Sequence, residues 1–514
     1  MDTVCGFDRG ELERRLRENL VEEWVIREVL ERYPEDYRCR RPSSNEGFCV
    51  FHAEKKPENF WDLFLEELEI MERREDVLDF SGFIFPEAAF MKGAKPLVLS
   101  KPACFIGVRF QGKADFRGVE FQGAADFRGT RFQEACFTGA KFKEADFRGV
   151  RLEVADFIGA EFQEANFVGA MFQVAYFVDA EFGVADFRSA EFKEIADFRS
   201  AEFGSANFAG ARFQGVADFR SAEFKEIADF TISEFGVADF RSAEFKGAAN
   251  FARCTFKEVA FLMGTVFEDS AVFIAPDGGS SGLVIFANAL FNKPKCVLIR
   301  GFPLSNLSFL LTDLTDVKLI PSKSIRTSLL DERLLGEKEL NEVERGVRKL
   351  LEGSGLLSTE TLILELRSVR KNLEASKLYG EAGELYIKEM RHRRKLIRER
   401  GGLKDLPEYI ASWFYGLLGY GESILRPALG MVLTVMLSSL YVAFRSTPPQ
   451  EILQKALGNI PMMTSILLQM RSLEDFAVDI PMPELIVVEI LVRALALVLF
   501  GTLFIALRRR LERR

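Results

Sequence analysis

The first residues that could do chemistry are two cysteines and a histidine near the N-terminus. Cys39, Cys49 and His52 stand in the stretch CRRPSSNEGFCVFH with the spacing C-x9-C-x2-H. Thiolates and imidazoles bind structural zinc, which takes four ligands in a tetrahedron. The only other candidate ligand upstream is Cys5, which lies well away from the motif. Two interpretations therefore stay open: one structural zinc, or a turn with unliganded thiols.

A second pair of charged residues lies in an apolar run near the C-terminus. Glu489 and Arg493 are four residues apart, so on a helix they share one face and can pair. Intramembrane charges are costly and usually face protein or a water-filled cavity. The pair therefore predicts either mutual neutralisation near the outer boundary of the membrane or, in a homo-oligomer, a contact between subunits or the lining of an aqueous path.

The remaining composition gives no catalytic constellation. His52 and His392 are far apart, and no phosphate-cradling glycine loop follows a predicted strand. Seven cysteines without a dense framework favour reduced thiols in the cytoplasm. The net charge of −9 over 514 residues argues against nucleic-acid binding, because nucleic-acid-binding proteins carry a basic surface. We expect no enzyme activity.

Two uncharged or nearly uncharged runs predict a membrane domain over 406–514. A bilayer core needs about 20 apolar residues, which predicts transmembrane helices at about 425–444 and 485–507. An apolar stripe that includes Leu406, Ile410 and Trp413 predicts an interfacial helix before them. Basic clusters flank the pair of spans, and the connecting segment has few, so we expect both termini in the cytoplasm of the cell.

Between the termini, phenylalanine recurs at every fifth residue and occasionally at every sixth, a period that fits neither a helix nor a strand. A small residue, mostly Ala, stands two positions before each Phe. If each five-residue unit forms one side of a square coil, both residues face inward. Four units close a coil, and about thirty units predict about eight coils.

This pattern resembles the Phe-rich subtype of the pentapeptide-repeat family. The resemblance implies a right-handed quadrilateral β-helix. The sixth residues Ile195, Val216, Ile227 and Ala248 would then be bulges at corners or would merely widen a turn. The Cys/His pattern is similar to small knuckles that sometimes precede such repeats. The predicted domains are a helical N-terminal region (1–78), the β-helix (79–320), a charged helical linker (321–405) and the membrane domain (406–514). Within 1–78 we expect two amphipathic helices, one with Leu12, Leu16 and Leu20 and one with Leu65, Leu68 and Met71.

Counting four units per coil predicts a vertical column of acidic residues on one face of the β-helix. Such a column could be a tolerated solvated face or a docking stripe for a basic protein; its members are Glu161, Glu181, Glu202, Glu223 and Glu244. The neighbouring face combines aspartates and arginines. Some pentapeptide-repeat proteins resemble duplex DNA and bind type II topoisomerases, so a DNA mimic is a third hypothesis.

The stretches EAGELYIKEMRHRRK and GYGESILRP resemble a prokaryotic class in which pentapeptide repeats precede a two-span, potassium-channel-like domain. The sequence departs from that class, because GYG at Gly419–Gly421 precedes the first span and no TVGYG-like run lies between the spans. The sequence thus predicts a membrane-anchored cytoplasmic interaction scaffold. The alternatives are a channel-like homo-oligomer with a degenerate or absent filter, and a topoisomerase-binding DNA mimic.

Overall fold

The computed structural model describes residues 5–19, 21–43, 48–86, 88–89, 97–277, 279, 282–322, 329–336, 339–470 and 482–512. The chain divides into two compact units, Met1–Ser358 and Thr359–Arg514. The division falls inside the predicted linker, so the first unit holds two of the linker helices and the second unit holds the others.

The first unit is dominated by a β-solenoid of about eleven turns, which confirms the predicted fold class. Its strands are all parallel within two sheets, because each turn adds one layer to both sheets. The strands of the first sheet are Leu78–Asp79, Val98–Leu99, Ala103–Cys104, Glu120–Asp126, Lys141–Asp146, Glu161–Asn166, Glu181–Asp186, Glu202–Asn207, Glu223–Phe224, Ala228–Asp229, Glu244–Phe245, Ala249–Ala252, Val266–Phe267, Ala271–Ile274, Leu290–Phe291, Val297–Arg300 and Lys318–Ile320. Those of the second are Ile84–Phe85, Ala88–Ala89, Arg109–Phe110, Ala114–Asp115, Arg131–Cys136, Arg151–Asp156, Met171–Tyr176, Glu191–Asp197, Arg212–Asp218, Glu234–Asp239, Thr255–Phe261, Leu283–Ile285 and Leu307–Ser308.

Four columns of stacked rings fill the interior. In one column Phe127, Phe147 and Phe167 follow each other with centroid separations of 4.7 and 4.9 Å and nearly parallel planes. Each Phe and the Ala two positions before it are buried, for example Ala165 and Phe167. The predicted inward face of each five-residue unit is therefore confirmed. Burying each Phe stabilises the fold by about 1.5–3 kcal/mol.

The coil turns tightly at alternate units, and the sequence marks these corners with Asp or Asn. In the unit Asp126–Phe127–Arg128–Gly129 the carboxylate Oδ1 accepts from the N–H of Arg128 at 3.1 Å, and Gly129 has a φ of 67°. Thr130 N–H donates to the carbonyl of Phe127 at 3.0 Å and closes the turn. Asx side chains stabilise such turns by accepting from the backbone two residues on.

Two expectations about the solenoid need correction. The irregular ends, before Phe105 and after Phe256, continue the coil, so the solenoid has about eleven turns and not eight. The sixth residue lies within a strand at Ile195 and Val216, and it follows a bend between two short strands at Ile227 and Ala248. Ile195 itself is in register, paired with Val174 below and Val216 above, and the ladder shifts between Phe192 and Ile195.

The N-terminal region has three helices where two were expected: α1 (Arg9–Glu18), α2 (Glu23–Arg32) and α3 (Phe60–Arg74). Leu20 lies outside the described residues. The hairpin of α1 and α2 packs on the corner glycines, because a Cβ at Gly129 would come within 2.3 Å of Leu16 and one at Gly149 within 2.9 Å of Val25. These corners thus need glycine for close approach as well as for positive φ.

Two helices pack against the last turns of the solenoid. They are α4 (Leu330–Gly336) and α5 (Glu342–Gly353), and their apolar side chains join one buried cluster with solenoid residues such as Ile285 and Leu310. Asn341 begins α5 with a capping box, in which its side chain and that of Glu344 each accept from the other's backbone N–H.

The second unit is helical. It comprises α6 (Thr359–Ala375), α7 (Tyr379–Arg400), α8 (Leu406–Leu417), α9 (Leu425–Ser446), α10 (Ile452–Leu467) and α11 (Met482–Glu512). Short 3₁₀ turns occur at Pro294–Cys296 and Leu304–Asn306 in the first unit and at Leu403–Asp405 and Gly419–Gly421 in the second. Glu389 of α7 is buried between Arg367 and Arg370 of α6, at 2.8 and 3.0 Å, which fixes the α6–α7 pair.

Candidate functional site

The two cysteines and the histidine of the N-terminal motif form a buried cluster together with Cys5. The four ligand atoms all lie within 4.8 Å of one another. Sγ of Cys39 lies 4.0 Å from Sγ of Cys49, and Nδ1 of His52 lies 3.1 Å from Cys49 Sγ and 3.5 Å from Cys5 Sγ. Zinc–sulfur bonds of about 2.3 Å put tetrahedral ligands roughly 3.5–3.8 Å apart, so these four residues fit a metal ion.

Cys5 is the fourth candidate ligand, although it lies far from Cys39, Cys49 and His52 along the chain. A short antiparallel pairing brings it in: Cys5 N–H donates to the carbonyl of Arg41 and Cys39 N–H to that of Phe7, both at 2.9 Å. An isolated bridge between Asp8 and Arg38 continues this pairing. Cys39 and Cys49 are therefore both in the cluster, and the structure describes residues 40–43 and 48 of the segment that connects them.

His52 is held in one orientation. Its Nε2 lies 3.0 Å from the carbonyl oxygen of Ser81, which can only accept, so Nε2 carries the proton and Nδ1 faces the sulfurs. Its ring stacks on Phe7 at 3.9 Å and meets Phe83 edge-on. Such outer contacts fix the tautomer of metal-binding histidines.

The environment of the cluster favours thiolate at Cys5 and Cys39, whereas hydrogen bonds with Cys39 and Cys5 and burial raise the pKa of Cys49. Hydrogen bonds from Cys39 and Cys49 lower the pKa of Cys5, and the N–H of Cys49 also donates to Cys5 Sγ at 3.1 Å. Arg41 Nη1 lies 3.7 Å from Cys39 Sγ. Thiolates are the form of cysteine that binds metals. The cluster could therefore hold a metal ion.

The cluster also joins the N-terminal region to the first turn of the solenoid. Arg15 of α1 is buried and donates to the carbonyls of Gly82 and His52 at 2.5 and 3.1 Å. Ile84 N–H donates to the carbonyl of Phe51 at 2.8 Å. Residues next to the cluster thus bond directly to the first coil.

The five glutamates of the predicted stripe lie directly above one another in adjacent strands of the first sheet. Lysines offset much of their charge: Lys141 pairs with Glu161 at 2.7 Å, Lys225 with Glu202 at 2.7 Å and Lys246 with Glu223 at 2.6 Å. At the upper end, a side-chain hydrogen bond with Glu268 raises the pKa of Glu244. A shallow groove of about 840 Å³ runs along this face, and Gly183 and Gly204 are among its lining residues.

The neighbouring face is a ladder of aspartates and arginines. Asp197, Asp218 and Asp239 are stacked, and each accepts two hydrogen bonds from the arginine two residues later. Arg199 and Arg220 also reach the aspartate of the next turn, at 3.8 and 3.6 Å. This pairing counters the repulsion between stacked carboxylates. It also pairs the aspartates of this face with positive charge.

Two helices of the second unit are long and apolar enough to cross a membrane: Leu425–Ser446 and Ile486–Leu511. Their large side chains point outward, and Leu433, Leu497 and Phe504 are more than half exposed. Between them α10 packs back against both helices, with Met463 and Ile466 buried against Val442 and Ala496.

Glu489 and Arg493 lie on one side of α11 and pair at 2.7 Å. Glu489 is 15% exposed and Arg493 35%, so the pair sits partly inside the helical unit. The segment where a selectivity filter would lie, 471–481, is outside the described residues.

The GYG stretch forms a 3₁₀ turn between α8 and α9. Tyr420 has a φ of 55°, and a Cβ at Gly421 would lie 3.0 Å from Ile505. Both glycines have positive φ. These residues build a tight, buried turn that precedes the first apolar helix.

Comparison with known families explains the solenoid. Residues 105–151, 177–223 and 208–255 match a family described as pentapeptide repeats in nine copies, and residues 135–173 match pentapeptide repeats in eight copies. The solenoid is built of pentapeptide repeats.

A curated relative is the uncharacterized protein MJ1147 of Methanocaldococcus jannaschii, which is 28% identical over 249 residues. The match covers 45% of this chain and 50% of that protein, so the chain spans about half the length of the relative it matches. No solved structure matches the chain.

Proposed function

We propose that this chain is a membrane-attached interaction protein, in which a pentapeptide-repeat solenoid offers charged faces to another macromolecule. The observation that carries the attachment is the outward exposure of large apolar side chains along α9 and α11. A water-soluble domain rarely exposes so much contiguous apolar surface. The solenoid interior is filled with rings, so its chemistry resides on its outer faces.

Cysteine labelling tests the attachment and its orientation. Cys296 is an exposed cysteine of the solenoid, and Gln450 is exposed between α9 and α10. An impermeant maleimide should label Cys296 only in inverted membrane vesicles, and Gln450→Cys in a Cys296→Ser background only in intact cells. Alkaline carbonate should leave the chain in the membrane. Release by carbonate contradicts the attachment, and labelling of both sites from one side contradicts the orientation.

We further propose that Cys5, Cys39, Cys49 and His52 hold one structural zinc. Three sulfurs and one imidazole nitrogen in a closed, buried tetrahedron are typical of structural zinc sites. In this role the metal would fasten three separate segments of the N-terminal region to the first turn of the solenoid.

Metal content tests the zinc site and its fourth ligand. The purified full chain should hold about one zinc per chain, and Cys49→Ser and Cys5→Ser should each lose it. Cys136→Ser is the matched control, because Cys136 is buried but outside the cluster. If Cys5→Ser keeps its full zinc content, Cys5 is not a ligand. If the purified wild-type chain contains no metal, the proposal of a zinc site is wrong.

The face of the solenoid that we propose for a basic partner is the glutamate column and its groove. Glu181 forms no salt bridge among the described residues, and its neighbours Lys141 and Lys225, which pair with Glu161 and Glu202, interact with it only at longer range. We expect a short oligolysine peptide to bind the full chain, and Glu161→Lys with Glu181→Lys to weaken that binding by up to about fivefold per reversed charge at low salt. Reversal of Glu134 and Glu153, exposed on the other sheet, is the control. Equal effects at both faces would dismiss the column.

A second candidate function is a channel-like homo-oligomer. The observation that favours it is α10, which folds back between two apolar helices, together with the Glu489–Arg493 pair that would face a neighbouring subunit. Cysteine substitutions along 489–500 in native membranes should crosslink with a helical period, and the particle mass should be that of several chains, four on the channel analogy. A monomeric pattern would leave the two helices as an anchor.

A further inference from the structure

α8 carries its apolar residues on the outside. Its exposed side chains form a stripe of large apolar groups, each 47–55% exposed: Leu406, Ile410, Trp413, Phe414 and Leu417. Its less exposed positions are Tyr409, Ser412, Tyr415 and Gly416. This orientation is the reverse of that expected in water, so the stripe needs an apolar medium beside it.

Cations surround the stripe. The segment 391–426 contains eight Lys and Arg residues against four carboxylates. Arg398, Lys404 and Arg426 are exposed. Arg398 and Tyr409 line a cleft of about 290 Å³ at the joint between α7 and α8, together with Gly401, Gly402 and one carboxylate, Asp405. The chemistry beside the apolar stripe is therefore suited to anionic groups.

The stripe lies at the end of the bundle where α9 begins and α11 ends. α9 begins at Leu425, directly after the turn that follows α8. At this same end of the bundle, Arg509 of α11 pairs with Glu422 at 2.7 Å and stands over the ring of Tyr386 of α7. The start of α9, the end of α11 and α8 thus share one level, which is continuous with the proposed membrane-crossing surface.

We infer that α8 and the basic end of α7 bind an anionic lipid leaflet, an inference that rests on the proposed membrane attachment. The apolar stripe enters the boundary of the acyl chains, while Arg398, Lys404 and Arg426 contact lipid phosphates. Charge complementarity selects this occupant over a second copy of the chain, since a second copy would bring the same cations against each other.

The test uses the full chain with Trp24→Phe and Trp61→Phe, which leaves Trp413 as the single tryptophan. It is reconstituted into vesicles of phosphatidylcholine alone or with a quarter phosphatidylglycerol, each with lipids brominated on the acyl chain. We expect strong quenching of Trp413 in the anionic vesicles and weaker quenching in neutral ones. Each basic residue near an anionic surface strengthens association roughly fivefold, so Arg398→Gln, Lys404→Gln and Arg426→Gln together should lower the ratio of bound to free α8 about 100-fold.

The control neutralises three exposed cations of the solenoid, Arg131, Lys143 and Lys193, and should leave quenching unchanged. Carbonate resistance of every variant is measured in parallel. Two outcomes overturn the lipid inference alone. In the first, the chain resists carbonate but Trp413 is not quenched. In the second, the quenching of Trp413 changes neither with lipid charge nor with the triple substitution. If Trp413 is protected from the aqueous phase only when many chains are present per vesicle, the stripe binds a second copy of the chain instead of lipid. Release by carbonate defeats the proposed attachment instead.

Discussion

The solenoid and the pair α9–α11 use large apolar side chains in opposite ways. In the solenoid, phenylalanines such as Phe167 and Phe187 are fully buried, and the outer surface is charged. In α9 and α11, residues such as Leu433 and Leu497 are more than half exposed. The solenoid therefore buries its large apolar side chains in its own interior. The exposed apolar side chains of α9 and α11 need an apolar medium around the helices.

The largest expected effect comes from placing a charge in the ring columns. Phe167→Asp should cost several kcal/mol and abolish cooperative unfolding of the solenoid, because the carboxylate would be buried without a partner. Val184→Asp, at a 51% exposed position on the outside of the solenoid, should change stability little. Circular dichroism during urea denaturation measures both. A tolerated Phe167→Asp would contradict the closed interior.

The reverse experiment places a charge on the outward face of α9. Leu433→Arg should cost roughly 2.5–3.5 kcal/mol at the helix centre and reduce membrane retention. Leu433→Ile keeps the apolar surface and should behave like wild type. Retention is measured by carbonate extraction and gradient flotation. If the arginine variant stays in the membrane at wild-type level, the exposed face is not in lipid.

A pair of glycines separates backbone strain from helix docking. Gly129 and Gly139 both have positive φ, 67° and 63°, yet only Gly129 is covered by Leu16. Alanine at either should cost about 1–2 kcal/mol for the left-handed conformation. Gly129→Ala should cost about 1–3 kcal/mol more, since the methyl group overlaps α1. Equal unfolding free energies would mean that α1 is not held there.

The smallest effect concerns the carboxylates of the corners. Burial raises the pKa of Asp115, but hydrogen bonds from Arg117 outweigh it and hold the pKa below its usual value. A lowered folded-state pKa gives stability that is present above the unfolded value near 4 and is lost as pH falls through the folded value. Asp115→Asn should therefore flatten the acid side of the stability profile. Denaturation midpoints between pH 3 and 7 check this.

The sequence was sufficient for the solenoid because its signal is local and repeated. A five-residue period sets which residue faces inward, and the four-unit count correctly stacks Glu181 on Glu161. Cys5 was missed for the opposite reason. Its place beside Cys39 depends on one antiparallel contact between distant segments, and no period announces such a contact.

The second N-terminal helix was missed for a similar reason. α2 contains Val25, Ile26 and Val29, a β-branched stretch with weak helix propensity, and its stability comes from packing on the solenoid corners. The corner glycines give no specific signal for this docking. Glycine holds the docked corner at 107, 129, 149 and 169, but it also holds the uncovered corners at 139 and 159.

The stacked architecture also restricts how the length of the solenoid can change. Each turn must present all four rings to the turns above and below, so insertion or deletion of a few residues would break every column at once. Whole turns of 20 or so residues are the natural increment, each adding about 4.8 Å between the end next to the Cys/His cluster and the end that contacts α4 and α5. With about eleven turns, the solenoid is a spacer of roughly 50 Å whose length is set in discrete steps.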